Sequence, residues 1–125
     1  MSIQIRKVSS KKELKTFVRF ANRLYKGNKY YVPSMPMDDM NTFTPEKNGA
    51  FDFSEAELYL AYKGDEVVGR VAAIINHKAN EAWKVKQVRF GWIDFIDDLE
   101  VSKALLDAVV AFGKARGMEQ IVGPL

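Results

Sequence analysis

The sequence predicts one α/β (α+β) domain built on a mixed, mainly antiparallel sheet with two principal helices. Three observations carry that prediction. Two apolar runs, residues 56–62 and 67–76, are rich in β-branched and aromatic side chains and are separated only by Lys63-Gly64-Asp65-Glu66. Apolar residues recur at helical spacing in two places, once before and once after those runs. From Phe90 to Gly123 the chain reads as a strand, a long amphipathic helix and another strand.

Each element follows from its local chemistry. Ile3 and Ile5 alternate with Gln4 and Arg6, which predicts a short first strand with one buried face. Ser10 and Glu13 form an S-x-x-E capping box; Leu14, Phe17, Val18, Ala21, Leu24 and Tyr25 then keep a helical period until Gly27 ends it. Residues 28–54 carry Pro33, Pro36, Pro45 and Gly49 without a sustained period, so an ordered, irregular connection is expected, with a short helix over residues 37–42. Gly64 suits a tight turn, and the two long runs should pair antiparallel. A polar turn is expected over residues 78–81.

Residues 88–96 predict a third long strand, with Val88, Phe90, Trp92, Asp94 and Ile96 on one face and Gly91, Ile93 and Phe95 on the other. The helix over residues 99–116 should bury Val101, Leu105, Ala108, Val109 and Phe112. Gly117 lies just past its end, and Ile121 and Val122 open another strand. A strand, helix, strand crossover of this kind is expected to be right-handed. The sequence IVGPL stops within or just after that strand, which predicts a fold incomplete at its C-terminus and a piece of a longer polypeptide.

Composition narrows the chemistry. With 47% apolar residues in 125, one core is affordable. The chain has no Cys and a single histidine, His77, which removes disulfides, thiolate metal sites and Cys nucleophiles; no metal is expected. No apolar run reaches bilayer length and the N-terminus lacks an h-region, so no membrane segment and a cytoplasmic location are expected. The net charge of +3 names no partner, but Lys11, Lys12, Lys15, Arg19, Arg23 and Lys26 form a stripe on the first helix, opposed only by Glu13. That stripe reads either as a polyanion surface or as the solvated face of an amphipathic helix. The second reading is favoured because no aromatics interleave with the charges, so nucleic acid is not expected as a partner.

The order strand, helix, irregular connection, three-stranded meander, helix, strand resembles the first two-thirds of the GNAT (acyl-CoA N-acyltransferase) superfamily. The stretches AELYLAYKGDEVVGRVAAIIN, FGWIDFIDD and ALLDAVVAFGKARGMEQIVGP are similar to the N-terminal region of longer bacterial GNAT-like proteins. The resemblance implies an acyl-CoA-dependent N-acetyltransferase domain with acetyl-CoA as cofactor. It also implies that a Q/R-x-x-G-x-G/A turn should open the second helix, its amides holding the CoA pyrophosphate. That turn corresponds here to Ile96, Asp97, Asp98, Leu99, Glu100, Val101 and Ser102. Asp97 falls at the Q/R position, Glu100 at the first glycine and Ser102 at the second, so the turn is degenerate. Its carboxylates would repel pyrophosphate, and Asp97 or Asp98 would instead cap the helix.

The same resemblance makes Asp94 a candidate general base, alongside the reading of a solvent-facing or hydrogen-bonded aspartate near a strand end. The Tyr general acid of the superfamily lies on a later helix with no counterpart here, so the segment alone is expected to be inactive. Tyr30, Tyr31, Phe43, Phe51 and Phe53 would either line an acceptor groove or pack the connection onto the sheet. The alternative is a non-catalytic scaffold or dimerisation module of a larger protein. The expected partners are the remainder of the parent chain and a second copy, met through the exposed C-terminal strand.

Overall fold

The computed structural model describes residues 2–30, 36–44 and 48–123. Tyr31 and Leu125, singled out above, lie outside them, as do Pro33 and Pro45. The elements run β1 (Ile3–Lys7), α1 (Lys11–Leu24), α2 (Pro36–Thr42), a 3-10 turn (Gly49–Asp52), β2 (Ser54–Lys63), β3 (Glu66–Asn76), α3 (His77–Trp83), β4 (Gln87–Phe95), α4 (Leu99–Ala115) and β5 (Gln120–Val122). One sheet of five strands has the order β1-β2-β3-β4-β5. The first three pairings are antiparallel, and β5 joins β4 in parallel after the α4 crossover. The mixed, mainly antiparallel sheet expected from the sequence is therefore present.

Local signals explain most of these boundaries. The Ser10 hydroxyl accepts the Glu13 N–H at 3.1 Å, as a capping box requires. The return bond lands one residue earlier than expected, because the Glu13 carboxylate takes the N–H of Ser9 at 3.1 Å. Those hydrogen bonds from Ser9, ahead of the ones from Ser10, hold the Glu13 carboxyl below its ordinary range. Gly64, at φ 64°, closes the β2–β3 hairpin, and Gly117, at φ 74°, follows the last turn of α4.

Two expectations need correction. Residues 78–81 are not a polar turn: they lie inside α3, whose N-cap Asn76 accepts the N–H of Ala79 at 2.9 Å and which ends at Lys84 in the left-handed region. His77 is the first residue of that helix, its Nε2 lying 3.3 Å from Glu55. The faces of β4 also differ from strict alternation. Ala72 pairs with Gly91 and Arg70 with Asp94, so Val71 alone opposes both Trp92 and Ile93, and Trp92 sits at φ 51°. This β-bulge reverses the parity of the strand. Val88, Phe90 and Ile93 face α4, whereas Trp92 turns to the α1 side.

The sheet thus separates two apolar layers. Val101, Leu105, Val109 and Phe112 of α4 pack on Val68, Val71, Ala73 and Ile75; Phe17, Val18 and Phe20 of α1 pack on Leu58, Leu60 and Ala72. Among the described residues no helix is long and apolar enough to cross a membrane.

Candidate functional site

The second half of β4 and the first turn of α4 bring together most of the residues singled out by the sequence. The bulge at Trp92 aims Asp94 at the α1 layer, directly across from its register partner Arg70. Arg70 is only 5% exposed, a position an arginine holds only when its charge is matched. Its Nε and Nη2 donate to Asp94 Oδ2 at 3.0 and 2.8 Å, and its Nη1 donates to the carbonyl of Phe17 at 2.9 Å. The guanidinium also lies over the rings of Phe17 and Trp92, at 5.2 and 5.4 Å. The other oxygen of Asp94 accepts from the Tyr25 hydroxyl at 3.0 Å. Every carboxylate oxygen of Asp94 is therefore engaged, and the network ties the end of α1 to β3 and β4.

Sequence reasoning placed Asp94 but missed Arg70 and Tyr25. Half of the signal was available: an arginine inside the apolar run VVGRVAAII needs an acceptor, but the bulge that brings Asp94 opposite it leaves no mark in the sequence.

At the start of α4, Asp98 is the N-cap. Its carboxylate accepts the Glu100 N–H at 2.9 Å and lies 3.6 Å from Lys63 Nζ. The Asp98 carbonyl accepts from the amides of Val101 and Ser102, and the Ser102 hydroxyl donates to the carbonyl of Leu99 at 3.1 Å. Val101 is fully buried under the helix and Ile96 packs beside it, while Asp97, Leu99 and Glu100 are exposed. The turn thus presents Asp97, Asp98 and Glu100 around the amides of Glu100, Val101 and Ser102, which already have acceptors, with Lys63 as the nearby counter-charge. An incoming pyrophosphate would meet like charge at this helix end.

The aromatic set is divided. Phe43 packs inward, 5.5 Å from the ring of Phe17 and 4.7 Å from that of Trp92. Tyr30 is exposed, and Phe53 lies under Lys78 Nζ at 5.4 Å. On the basic helix, Arg23 is not simply solvated: its Nη2 donates to the carbonyl of Val67 at 2.9 Å. Among the described residues no group of three His, Cys, Asp or Glu side chains could hold a metal ion.

Comparison with known proteins places this geometry. No protein-family model matches the chain. It is 32% identical over 120 residues to protein YghO of Escherichia coli, covering 96% of this chain and 30% of that one. It is 31% identical over 118 residues to the bacterial ceramide synthase of Caulobacter vibrioides, covering 94% of this chain and 31% of that protein. The chain therefore spans about 30% of the length of these curated relatives. Among solved structures, it superimposes on a tandem GNAT protein of the clavulanic acid biosynthesis pathway with TM-score 0.70 at 10% identity, over 94% of this chain and 34% of that one. It matches AAC(6')-Iy, solved with a bisubstrate analogue of CoA, with TM-score 0.68 at 16% identity, over 100% of this chain and 80% of that one. The fold of this chain is that of the GNAT acetyltransferase superfamily.

Proposed function

We propose that the chain is part of an N-acyltransferase that joins a fatty acyl group to the nitrogen of a long-chain amine. The observation that supports this most is its likeness, over 94% of its length, to a protein named for making ceramide, on a fold shared with N-acetyltransferases. A ceramide is the amide of a long-chain amino alcohol. In forming one from a thioester, the amine nitrogen attacks the acyl carbonyl; the C–N bond forms, the C–S bond breaks, the thiolate departs with its electron pair, and the nitrogen gives up a proton. Asp94 is assigned a positioning role through Arg70, because its oxygens are already engaged. The test is to supply palmitoyl-CoA and sphinganine to the longest polypeptide that contains these residues and look for the amide by mass spectrometry. Amide is expected from that polypeptide and not from the 125-residue chain alone; none from either overturns the reading.

In this reading the start of α4 does not hold a pyrophosphate. Asp98 fills the cap and three carboxylates crowd the turn, so acetyl-CoA titrated calorimetrically into the chain should show no micromolar binding. Asp97→Arg combined with Glu100→Gly is expected to raise the affinity by removing two like charges. A micromolar dissociation constant for the unaltered chain would contradict this.

A second reading, a non-catalytic pairing module, is favoured by β5. This edge strand has β4 on one side, and its Ile121 and Val122 are 42% and 38% exposed. An unprotected apolar edge templates another strand, so the chain is expected to form a symmetric dimer through β5. Light scattering that returns a monomer at high concentration rejects it.

A further inference from the structure

On the α1 side of the sheet an open groove of about 1090 Å³ runs between the start of α1, helix α2 and the first residues of β2. It lies toward the end of β2 remote from Lys63 and Asp98, so it is distinct from the turn that opens α4. Its size is just above the roughly 300–1,000 Å³ usual for small-molecule sites. Val8, Leu14, Met40, Phe43, Phe51 and Leu58 supply an apolar lining. Met37 overhangs it while 75% exposed, so apolar surface is left facing water.

The margin is charged, with one sign dominant. Lys11, Lys15 and Arg19, four residues apart on one face of α1, border the groove. Among the described residues none of the three makes an ion pair. Lys7 also lines it, but is paired with Glu57 at 3.1 Å. Glu57, the one carboxylate of the lining among the described residues, is further engaged by Tyr59 and Arg116. Burial pushes the Glu57 carboxyl up, but the bonds from Tyr59 and Lys7 outweigh it and keep the group below its ordinary range. Three unmatched cations beside an apolar trough complement an amphiphile with a negative head and repel one with an ammonium head. At its inner side Phe43 packs edge-to-face against Trp92, the bulge residue two positions from Asp94.

We propose that this groove holds the hydrocarbon chain of the fatty acyl donor, with the donor's phosphate-bearing carrier against Lys11, Lys15 and Arg19. The inference rests on the N-acyltransferase reading for the identity of the chain. It separates the two substrates: the cationic margin excludes the long-chain amine and leaves the groove to the acyl donor. It also removes any need for a pyrophosphate site on α4, because affinity comes from the chain and from α1.

The test is calorimetric binding of octanoyl-, dodecanoyl- and palmitoyl-CoA to the 125-residue chain below their micellar concentrations, with CoA and sphinganine as controls. Affinity is expected to rise about fourfold for each methylene that enters the groove; CoA, which has the phosphates but no chain, should bind most weakly of the series, and sphinganine should not compete. Ala56→Trp, which fills the lining at β2, is expected to abolish the chain-length dependence. Lys15→Glu with Arg19→Glu should weaken palmitoyl-CoA at least tenfold, and added salt should no longer weaken the remaining binding. Both variants lie on the surface or at a partly exposed strand position, and an unchanged thermal midpoint would show that they are folded. Equal affinity for octanoyl- and palmitoyl-CoA, an unaltered length dependence in Ala56→Trp, or competition by sphinganine would each overturn the proposal. Because no acceptor is present, these outcomes are independent of amide formation. Chain-dependent binding without amide in the longer polypeptide would sink the functional reading alone.

Discussion

Asp94→Ala is expected to lower the free energy of unfolding by about 3 kcal/mol, the lower end of the range for breaking a buried ion pair. The lower end applies because the Asp94 side chain is 19% exposed, whereas that of Arg70 is 6% exposed. Without the carboxylate the guanidinium keeps only the Phe17 carbonyl and two ring faces. A charge left in that layer costs more than the bonds it has lost. Arg70→Met should cost less, because Asp94 still has the Tyr25 hydroxyl and some access to water. Adding Asp94→Ala to Arg70→Met should then cost under about 1 kcal/mol more, since no buried charge remains. Urea unfolding of the four proteins closes this cycle. A shift below about 1 kcal/mol for Asp94→Ala alone would show that the pair does not hold the end of α1 to the sheet. A loss of transfer in Asp94→Asn with an unchanged midpoint would restore Asp94 as a base.

The parts of this fold that were legible in the sequence are those fixed by local period and capping. Helices α1 and α4 announce themselves by Ser10 and Asp98 at their starts and Gly27 and Gly117 after their ends. The β2–β3 hairpin follows from Gly64 between two β-branched runs. What was hidden depends on backbone events with no residue signature. Trp92 takes a positive φ that nothing in its side chain favours, and the bulge carries Trp92 to the α1 side while Ile93 keeps to the α4 side. Helix α3 was missed because Asn76 reads equally well as a strand end and as an N-cap. The candidate site was half visible. The acids at the α4 turn could be counted, but the engagement of Asp94 required knowing that Arg70 stands opposite. The groove could not be read at all, since α1, α2 and β2 each supply a part of its lining from distant stretches of chain.

Leu105→Ala is expected to destabilise the chain by about 3 kcal/mol, within the range for truncating a fully buried leucine, since Leu105 is 0% exposed in the α4 layer. The site has a particular geometry. A Cβ added at Gly69 would lie 3.0 Å from Leu105 Cδ1, 2.9 Å from Val101 Cγ1 and 3.2 Å from the Cβ of Phe95. Gly69 is therefore the gap in β3 into which α4 settles, and it allows the helix to approach the sheet closely enough to exclude water. Gly69→Ala on its own should cost about 1–3 kcal/mol by overpacking, offset slightly by the strand propensity gained over glycine. Together the two changes should cost less than the sum of the singles, because the added methyl enters part of the space that Leu105 vacates. The remaining crowding against Val101 keeps the double variant below the unaltered chain. Strict additivity in denaturant unfolding would show that α4 does not rest on β3 at this point. It would also show that the placement of Asp98 and the acidic turn relative to β4 is set elsewhere, since the same contact fixes the height of α4 above the sheet.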